Sequence, residues 1–298
     1  MQPRIKEMKF ATHFQEVLDR KPLSIRDRVR SIALDVLYFL EQLKGNRSLL
    51  NKPRVQLLYF HHIFEDEEVK FRNLLKKLAK NHTFISHSEA VERILTNKID
   101  KPYISFSSDD GLKNNLKAAE ILNEFGASCC FFINTDLIDE TDFTIISNHC
   151  ESKIDFPATE MLSWDEVKLL QEMGHEIGSH TLNHNKITDM SFEEILKDLE
   201  ATKRVLESQG LECKHFAYPY GRFFHFNADG KKAVYEAGLY SCSSAERGCH
   251  FQQKTNFSNE EVLFRRDQVI AHWKWQHIFY FLMNNAKSSV ANSNLYPY

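Results

Sequence analysis

The six cysteines of this 298-residue chain (Cys129, Cys130, Cys150, Cys213, Cys242 and Cys249) form no C-x-x-C pair and keep no regular spacing. That argues against a disulfide framework and fits free thiols in a reducing compartment. The first seven residues, Met1 to Glu7, lack the apolar core of a secretory signal. The longest apolar stretch near the N-terminus, residues 32–43, is interrupted by Asp35, Glu41 and Gln42 and is too short to span a bilayer. Nor is there an internal repeat, a low-complexity tract or an excess of charge; the formal net charge is -3. Such a balance gives no reason to expect nucleic acid or an anionic membrane as a partner. The local basic run Arg26-Asp27-Arg28-Val29-Arg30 reads as a solvated helix face. The expected address is cytoplasmic.

What is present is ordinary for a folded domain: 42% hydrophobic and 27% charged residues in a chain long enough for one large α/β barrel. Residues 1–50 carry apolar side chains at helical spacing (Phe14, Val17, Leu18; Ile32, Val36, Leu37, Leu40), with Gly45-Asn46 as a stop. They are expected to form a helical extension ahead of a domain spanning 51–298. From residue 55 strand-like and helix-like segments alternate. Strands are expected at 55–60, 83–86, 103–106, 128–133, 176–179, 213–217, 240–244 and 262–270. Helices are expected at 69–80, from a capping Ser88, at 112–125, 163–173, 192–209 and 230–237. Residues 136–160 read as an irregular insertion, and the polar tail from 288 as a frayed end. Repeated β–α units predict parallel strands with helices outside: a barrel or an open doubly wound sheet.

Two short segments carry the chemistry. Ser107-Ser108-Asp109-Asp110-Gly111 sets paired carboxylates against a glycine at a strand end, and His180-Thr181-Leu182-Asn183-His184 sets two imidazoles four residues apart. An Asp-Asp-Gly alone is a good turn, and H-x-x-x-H alone is a weak signal. Both follow strands whose C-terminal ends face the active site in a parallel β/α architecture. The i, i+4 spacing predicts a helical turn presenting both rings to one ion. Two His and one Asp can hold a divalent ion, leaving a second Asp as base. That is a kit for metal-assisted hydrolysis.

The order of further motifs narrows the reading. The run from Ser163-Trp164-Asp165-Glu166 through Gly174-His175-Glu176-Ile177-Gly178-Ser179-His180 to His184, then Phe216-Ala217-Tyr218-Pro219-Tyr220-Gly221, resembles the polysaccharide deacetylase family. Phe60-His61-His62-Ile63 is similar to that family's Tyr-His-x-Ile, and the resemblance covers residues 55–270. It implies a distorted (β/α) barrel of about seven strands, here with the N-terminal extension and a C-terminal helix. It implies Asp110, His180 and His184 as metal ligands and Asp109 as catalytic base. The backbone N–H of Tyr220 is implied as an oxyanion donor, aimed by Pro219 and Gly221. Zn²⁺ suits a His₂Asp set with a water, and other first-row divalent ions could substitute. The implied reaction is removal of an N-acetyl group from an amino sugar or glycan.

Departures from the family pattern define what to look for. Ser108 stands where the family has a packing aromatic, which predicts a repacked floor. Ala217 stands where many members have an arginine that pairs with the catalytic Asp, and Arg265 or Arg266 could supply that charge. The family's late Leu-x-His has no clean match; His272 is the nearest candidate for the general acid, and His61 is placed at the pocket floor. His175 and Cys129-Cys130 read as core, Trp164 as a helix-start anchor. Trp273, Trp275, Phe279, Tyr280 and Phe281 suggest an aromatic C-terminal helix that covers the barrel or meets another protein, as the N-terminal helices could. Two alternatives stay open: hydrolysis of another non-peptide amide such as a formamido sugar, and a catalytically weak glycan-binding or assembly protein.

Overall fold

The computed structural model describes residues 8–287 and 295–297. Eight strands form one parallel sheet among the described residues: β1 (Arg54–Phe60), β2 (Thr83–Phe84), β3 (Pro102–Ser108), β4 (Cys129–Ile133), β5 (Glu176–Ser179), β6 (His215–Ala217), β7 (Ser241–Ser244) and β8 (Leu263–Gln268). β1 pairs with β8 on one side and with β3 on the other, so the strands other than β2 close a barrel. One edge of β3 is shared: Tyr103 and Ile104 meet β2, whereas Phe106 to Ser108 meet β4. That divided edge is the barrel's distortion, and it leaves the C-terminal end of β3 inside the closed ring.

The helices follow from apolar spacing and caps. They are α1 (Phe14–Arg20), α2 (Ile25–Leu43), α3 (Glu68–Leu78), α4 (His87–Leu95), α5 (Asn115–Asn123), α6 (Phe143–Ser152), α7 (Trp164–Glu172), α8 (Phe192–Ser208), α9 (Ala228–Glu236) and α10 (Trp275–Lys287). Ser163 caps α7 by accepting the Glu166 N–H at 3.2 Å, while Glu166 accepts the Ser163 N–H at 2.8 Å, the reciprocal box read from the sequence. Gly45 ends α2 with a left-handed φ of 72°. Leu58, Phe131 and Phe216 from the strands pack with Leu75, Leu122, Leu199 and Leu282 from the helices in one buried cluster.

Two expectations need correction. The cap of α4 is Ser86, whose hydroxyl accepts the Glu89 N–H, so the helix starts one residue before Ser88. The stretch 136–160 is not irregular throughout. Asp142 accepts the N–H groups of Thr144 and Ile145 and starts α6, which seats Ile146 and Cys150 against Leu112, Leu137 and Met161. The tail expected to fray lies outside the described residues except at 295–297. There Leu295 bridges to Val262, and the buried Tyr296 packs on Phe226.

The N-terminal helices are packed on the barrel. Phe14 of α1 is buried with Phe64 and Ala11, and α1 is tied to the 151–158 segment by Arg20 donating to the Phe156 carbonyl and by Lys21 on Asp155. α2 lies along α10, with Asp35 paired to Lys274 at 2.6 Å and to His277 at 2.9 Å. α10 in turn buries Ile278, Phe279, Leu282 and Met283, covering the barrel side. No described helix is long and apolar enough to cross a membrane.

Candidate metal centre and active site

The ends of several strands meet at a single cavity of about 420 Å³. β1 leads into His61 and His62, β3 into Asp109 and Asp110, β5 into His180, and β6 into the turn containing Tyr220. The backbone is bent sharply where the chemistry sits. Asp110, Thr181, His184 and Tyr220 all have positive φ (77°, 66°, 50° and 64°), a conformation non-glycine residues rarely adopt. Such strain persists only where surrounding structure enforces it, and it clusters at functional sites.

The carboxyl oxygen Oδ1 of Asp110 lies 3.6 Å from Nε2 of His180 and 3.5 Å from Nε2 of His184. All three side chains are buried, and their candidate ligand atoms lie within 4.8 Å of one another. The two histidines converge from a tight turn, not the helical turn expected from their spacing; left-handed residues at Thr181 and His184 swing the rings together. His180 Nδ1–H donates to the Ala217 carbonyl at 2.6 Å, which fixes its tautomer and leaves the Nε2 lone pair facing Asp110. Oδ1 of Asp110 and Nδ1 of His184 are buried polar atoms without a hydrogen-bond partner. A buried acceptor without a donor is costly. Ligands about 2 Å from a tetrahedral Zn²⁺ stand roughly 3.3 Å apart, close to the spacings here, so the residues fit such an ion.

Asp109 is held differently. Arg266 reaches it from β8 with a two-pronged contact, Nη1 to Oδ1 at 2.7 Å and Nη2 to Oδ2 at 2.9 Å, wholly inside the barrel. The guanidinium also donates to Ser107 Oγ and to the Ser244 carbonyl, and lies over the rings of Tyr59 and Phe132. Of the two arginines proposed to replace the family's missing one, Arg266 makes this contact. Arg265 instead donates to the Arg247 carbonyl and stacks on Phe223.

The two neighbouring carboxyls are thereby driven apart in acidity. Burial would raise the Asp109 pKa, but the Arg266 charge and its hydrogen bonds, with His180, outweigh it and leave the group below its ordinary value. Burial pushes Asp110 up to about 6, with the Asp109 charge adding to the shift. A carboxylate kept ionised beside one in need of a cation is the electrostatic pattern of a base next to a metal ligand.

His61 faces the same cavity. Burial lowers its pKa, while the Asp110 and Asp109 charges pull the other way. His62 sits deeper in the wall, its Nδ1–H donated to the buried Glu67 at 2.8 Å and its ring stacked between Phe14 and Phe156. His272 does not join this group. It lines a neighbouring cleft, its ring stacked on Phe14 at 4.6 Å and its Nδ1 3.0 Å from Lys70 Nζ. The aromatic it stacks on stands between it and the cavity. Ser108, in place of the family's aromatic, donates to Asn115 Oδ1 at 2.9 Å, so the floor is closed by a hydrogen bond. His175 accepts the Cys129 N–H and is core, as are both cysteines.

Sequence reasoning missed the outer wall. Phe14 and Val17 of α1, together with Lys153 to Phe156 after α6, line the cavity mouth. They come from a segment outside the motif region and from the stretch read as irregular, so no local signal marked them.

A parallel barrel with an Asp–His–His set and an arginine-held second Asp at its strand ends defines a deacetylase-type (β/α) barrel. Residues 96–241 match the family model described as polysaccharide deacetylase. Residues 96–241 therefore carry a polysaccharide deacetylase domain. No curated protein sequence matches it. Among solved structures it is similar to IcaB from Ammonifex degensii, with 16% identity, a TM-score of 0.61, and 78% of this chain and 97% of that one covered. It is also similar to the Streptococcus pyogenes deacetylase PplD in complex with acetate (16% identity, TM-score 0.60, 78% and 99% covered). A third is the BpsB deacetylase domain from Bordetella bronchiseptica (16% identity, TM-score 0.57, 72% and 96% covered). At these identities the likeness is one of fold.

Proposed function

We propose that this protein hydrolyses the N-acetyl group of an acetylated amino sugar or glycan, using a divalent ion, Zn²⁺ by donor chemistry, held by Asp110, His180 and His184. The observation that carries the reading is the division of labour between adjacent carboxyls: Asp110 turned to two imidazoles, Asp109 turned to Arg266. When bound, the ion supplies Lewis-acid activation of a water and of the substrate carbonyl.

The chain's own residues do the rest. Asp109, ionised and oriented by Arg266, takes the proton of the attacking water at a carboxylate oxygen. The Tyr220 N–H, aimed by the strained turn at Tyr220 and Gly221, donates to the oxygen that gains charge as the carbonyl carbon becomes tetrahedral. His61, in place of His272, shares the cavity with the carboxylates and passes to the leaving amine the proton that Asp109 has taken from the water. Tyr59, Tyr218, Phe14 and Phe156 line the cavity and give it apolar walls against which a sugar can pack.

The test is acetate release. The purified protein reconstituted with Zn²⁺ is assayed on N-acetylated amino sugars, their nucleotide- and lipid-linked forms, and chito-oligosaccharides, with N-formyl analogues in parallel. Acetate release that disappears on chelation supports the reading. Release of formate alone reassigns the acyl group, and no release from any substrate by a metal-loaded protein contradicts it.

A further inference from the structure

α2 carries an apolar stripe that nothing in the described chain covers. Ile25, Val29, Ile32, Val36, Phe39 and Leu43 are 82%, 60%, 65%, 52%, 60% and 69% exposed. They recur at alternating intervals of four and three residues, the heptad pattern of a coiled-coil seam, with β-branched residues at Val29 and Val36. At ~100° per residue all six lie within about 40° of one direction. Leu34 and the buried Glu41 fall on the opposite side of the helix. The seam therefore points straight away from the barrel, while α10 holds the helix from behind.

We propose that this seam pairs with the same helix of a second copy of this chain, antiparallel, about a two-fold axis at Leu34. The stripe has the same spacing read in either direction. In this register Ile25 lies opposite Leu43 of the second copy, Val29 opposite Phe39, and Ile32 opposite Val36, so every apolar side chain meets another. Ala33 beside the axis is small and lets the helices approach. Asp35, the acid nearest the axis, is already neutralised by Lys274 and His277 of its own chain, so two copies of it do not meet as bare like charges.

A membrane surface fits the same face less well. An interfacial helix presents a basic polar face to headgroups, whereas α2 balances Arg26, Arg28 and Arg30 with Asp27, Asp35 and Glu41. Six partly exposed side chains per copy bury about 1,000 Å² in total, near the lower limit for a specific interface. Packing on α10 has already ordered the helix, so association costs little further backbone entropy. The expected dimer dissociates at roughly 1–100 μM.

Sedimentation velocity on the full chain across that concentration range tests this. The proposal expects a concentration-dependent dimer that Ile32→Glu abolishes without lowering the melting temperature, since the position is solvent-exposed. All six native cysteines are buried, so introduced thiols report orientation under mild oxidation. A mixture of Ile25→Cys and Leu43→Cys chains is expected to form the mixed disulfide, and Leu43→Cys alone to form none. A monomer throughout the range, a dimer insensitive to Ile32→Glu, or self-linking of Leu43→Cys overturns it. So does co-sedimentation of the monomer with phosphatidylglycerol vesicles that Ile32→Glu prevents.

Discussion

Arg266 grips Asp109 through both carboxylate oxygens, at 2.7 and 2.9 Å, in the interior of the barrel and beside the Asp–His–His set. The pair binds β8 to the end of β3 across the lumen. It also sets the protonation state on which the proposed reaction depends.

Breaking this pair has two separable effects. Arg266→Lys keeps a charge but loses the fork, and is expected to lower kcat/KM by about 10²-fold or more, the range spanned by a displaced general base. Arg266→Met leaves Asp109 buried without a cation, and its folding stability should fall by roughly 3–5 kcal/mol. Urea unfolding of the two variants beside their pH–rate profiles checks this. With the counter-charge gone, the acid limb should move to higher pH in Arg266→Met.

The proton donor is decided between two histidines. His61→Gln should retain one bound metal ion and lose about 10²-fold in kcat, whereas His272→Gln, on the far side of Phe14, should stay near the parent rate. Equal losses, or the larger loss at His272, would contradict the assignment.

Buried neutral histidines away from the site make stability pH-dependent. Burial holds His82 down at about 3, with the Arg54 charge adding to it, and burial holds His175 and His215 at about 4. Their unfolded value is near 6.5, so their contribution is fully present above about pH 6.5 and is lost progressively as pH falls toward 4. At pH 5 each group costs up to about 2 kcal/mol. Chemical denaturation at pH 7.5, 6 and 5 should show a decline of several kcal/mol; a flat profile would mean these rings are hydrated or protonated in the folded state.

The turn that aims the Tyr220 N–H tolerates no side chain at its next residue. Gly221 has φ of 62°, and a Cβ there would lie 2.2 Å from the Ala245 Cβ. Gly221→Ala should cost roughly 2–4 kcal/mol in stability and lower kcat with KM little changed. A variant that melts normally and turns over normally would remove this turn from the mechanism.

The outer wall should act on binding. Phe14→Ala removes a ring lining the cavity, and is expected to raise KM several-fold with a smaller change in kcat, the sign of lost uniform binding. Steady-state kinetics on the best substrate reads this directly.

What was legible in the chain follows how local each signal is. β5 matched residue for residue because Glu176 to Ser179 is bounded by Gly174 and a metal-ligand candidate, and the α7 cap because a capping box spans only four residues. The Asp109–Arg266 pairing joins residues 157 apart. The family resemblance implies an arginine beside Asp109, but register on β8 decided between Arg265 and Arg266. His180 and His184 were found by spacing, although the spacing suggested a helix and the rings converge from a left-handed turn. α6 was missed although its signals are local: Asp142 is a capping residue, and Ile146, His149 and Cys150 recur at helical spacing. The place of Phe14 in the cavity was invisible, since nothing local ties residue 14 to residue 156.

The most direct test is metal content measured alongside turnover for the parent, Asp109→Asn and Asp110→Asn. The account predicts one ion per chain and acetate release for the parent, one ion and no release for Asp109→Asn, and neither for Asp110→Asn. Stoichiometric metal in Asp110→Asn, or undiminished acetate release by Asp109→Asn, would contradict it.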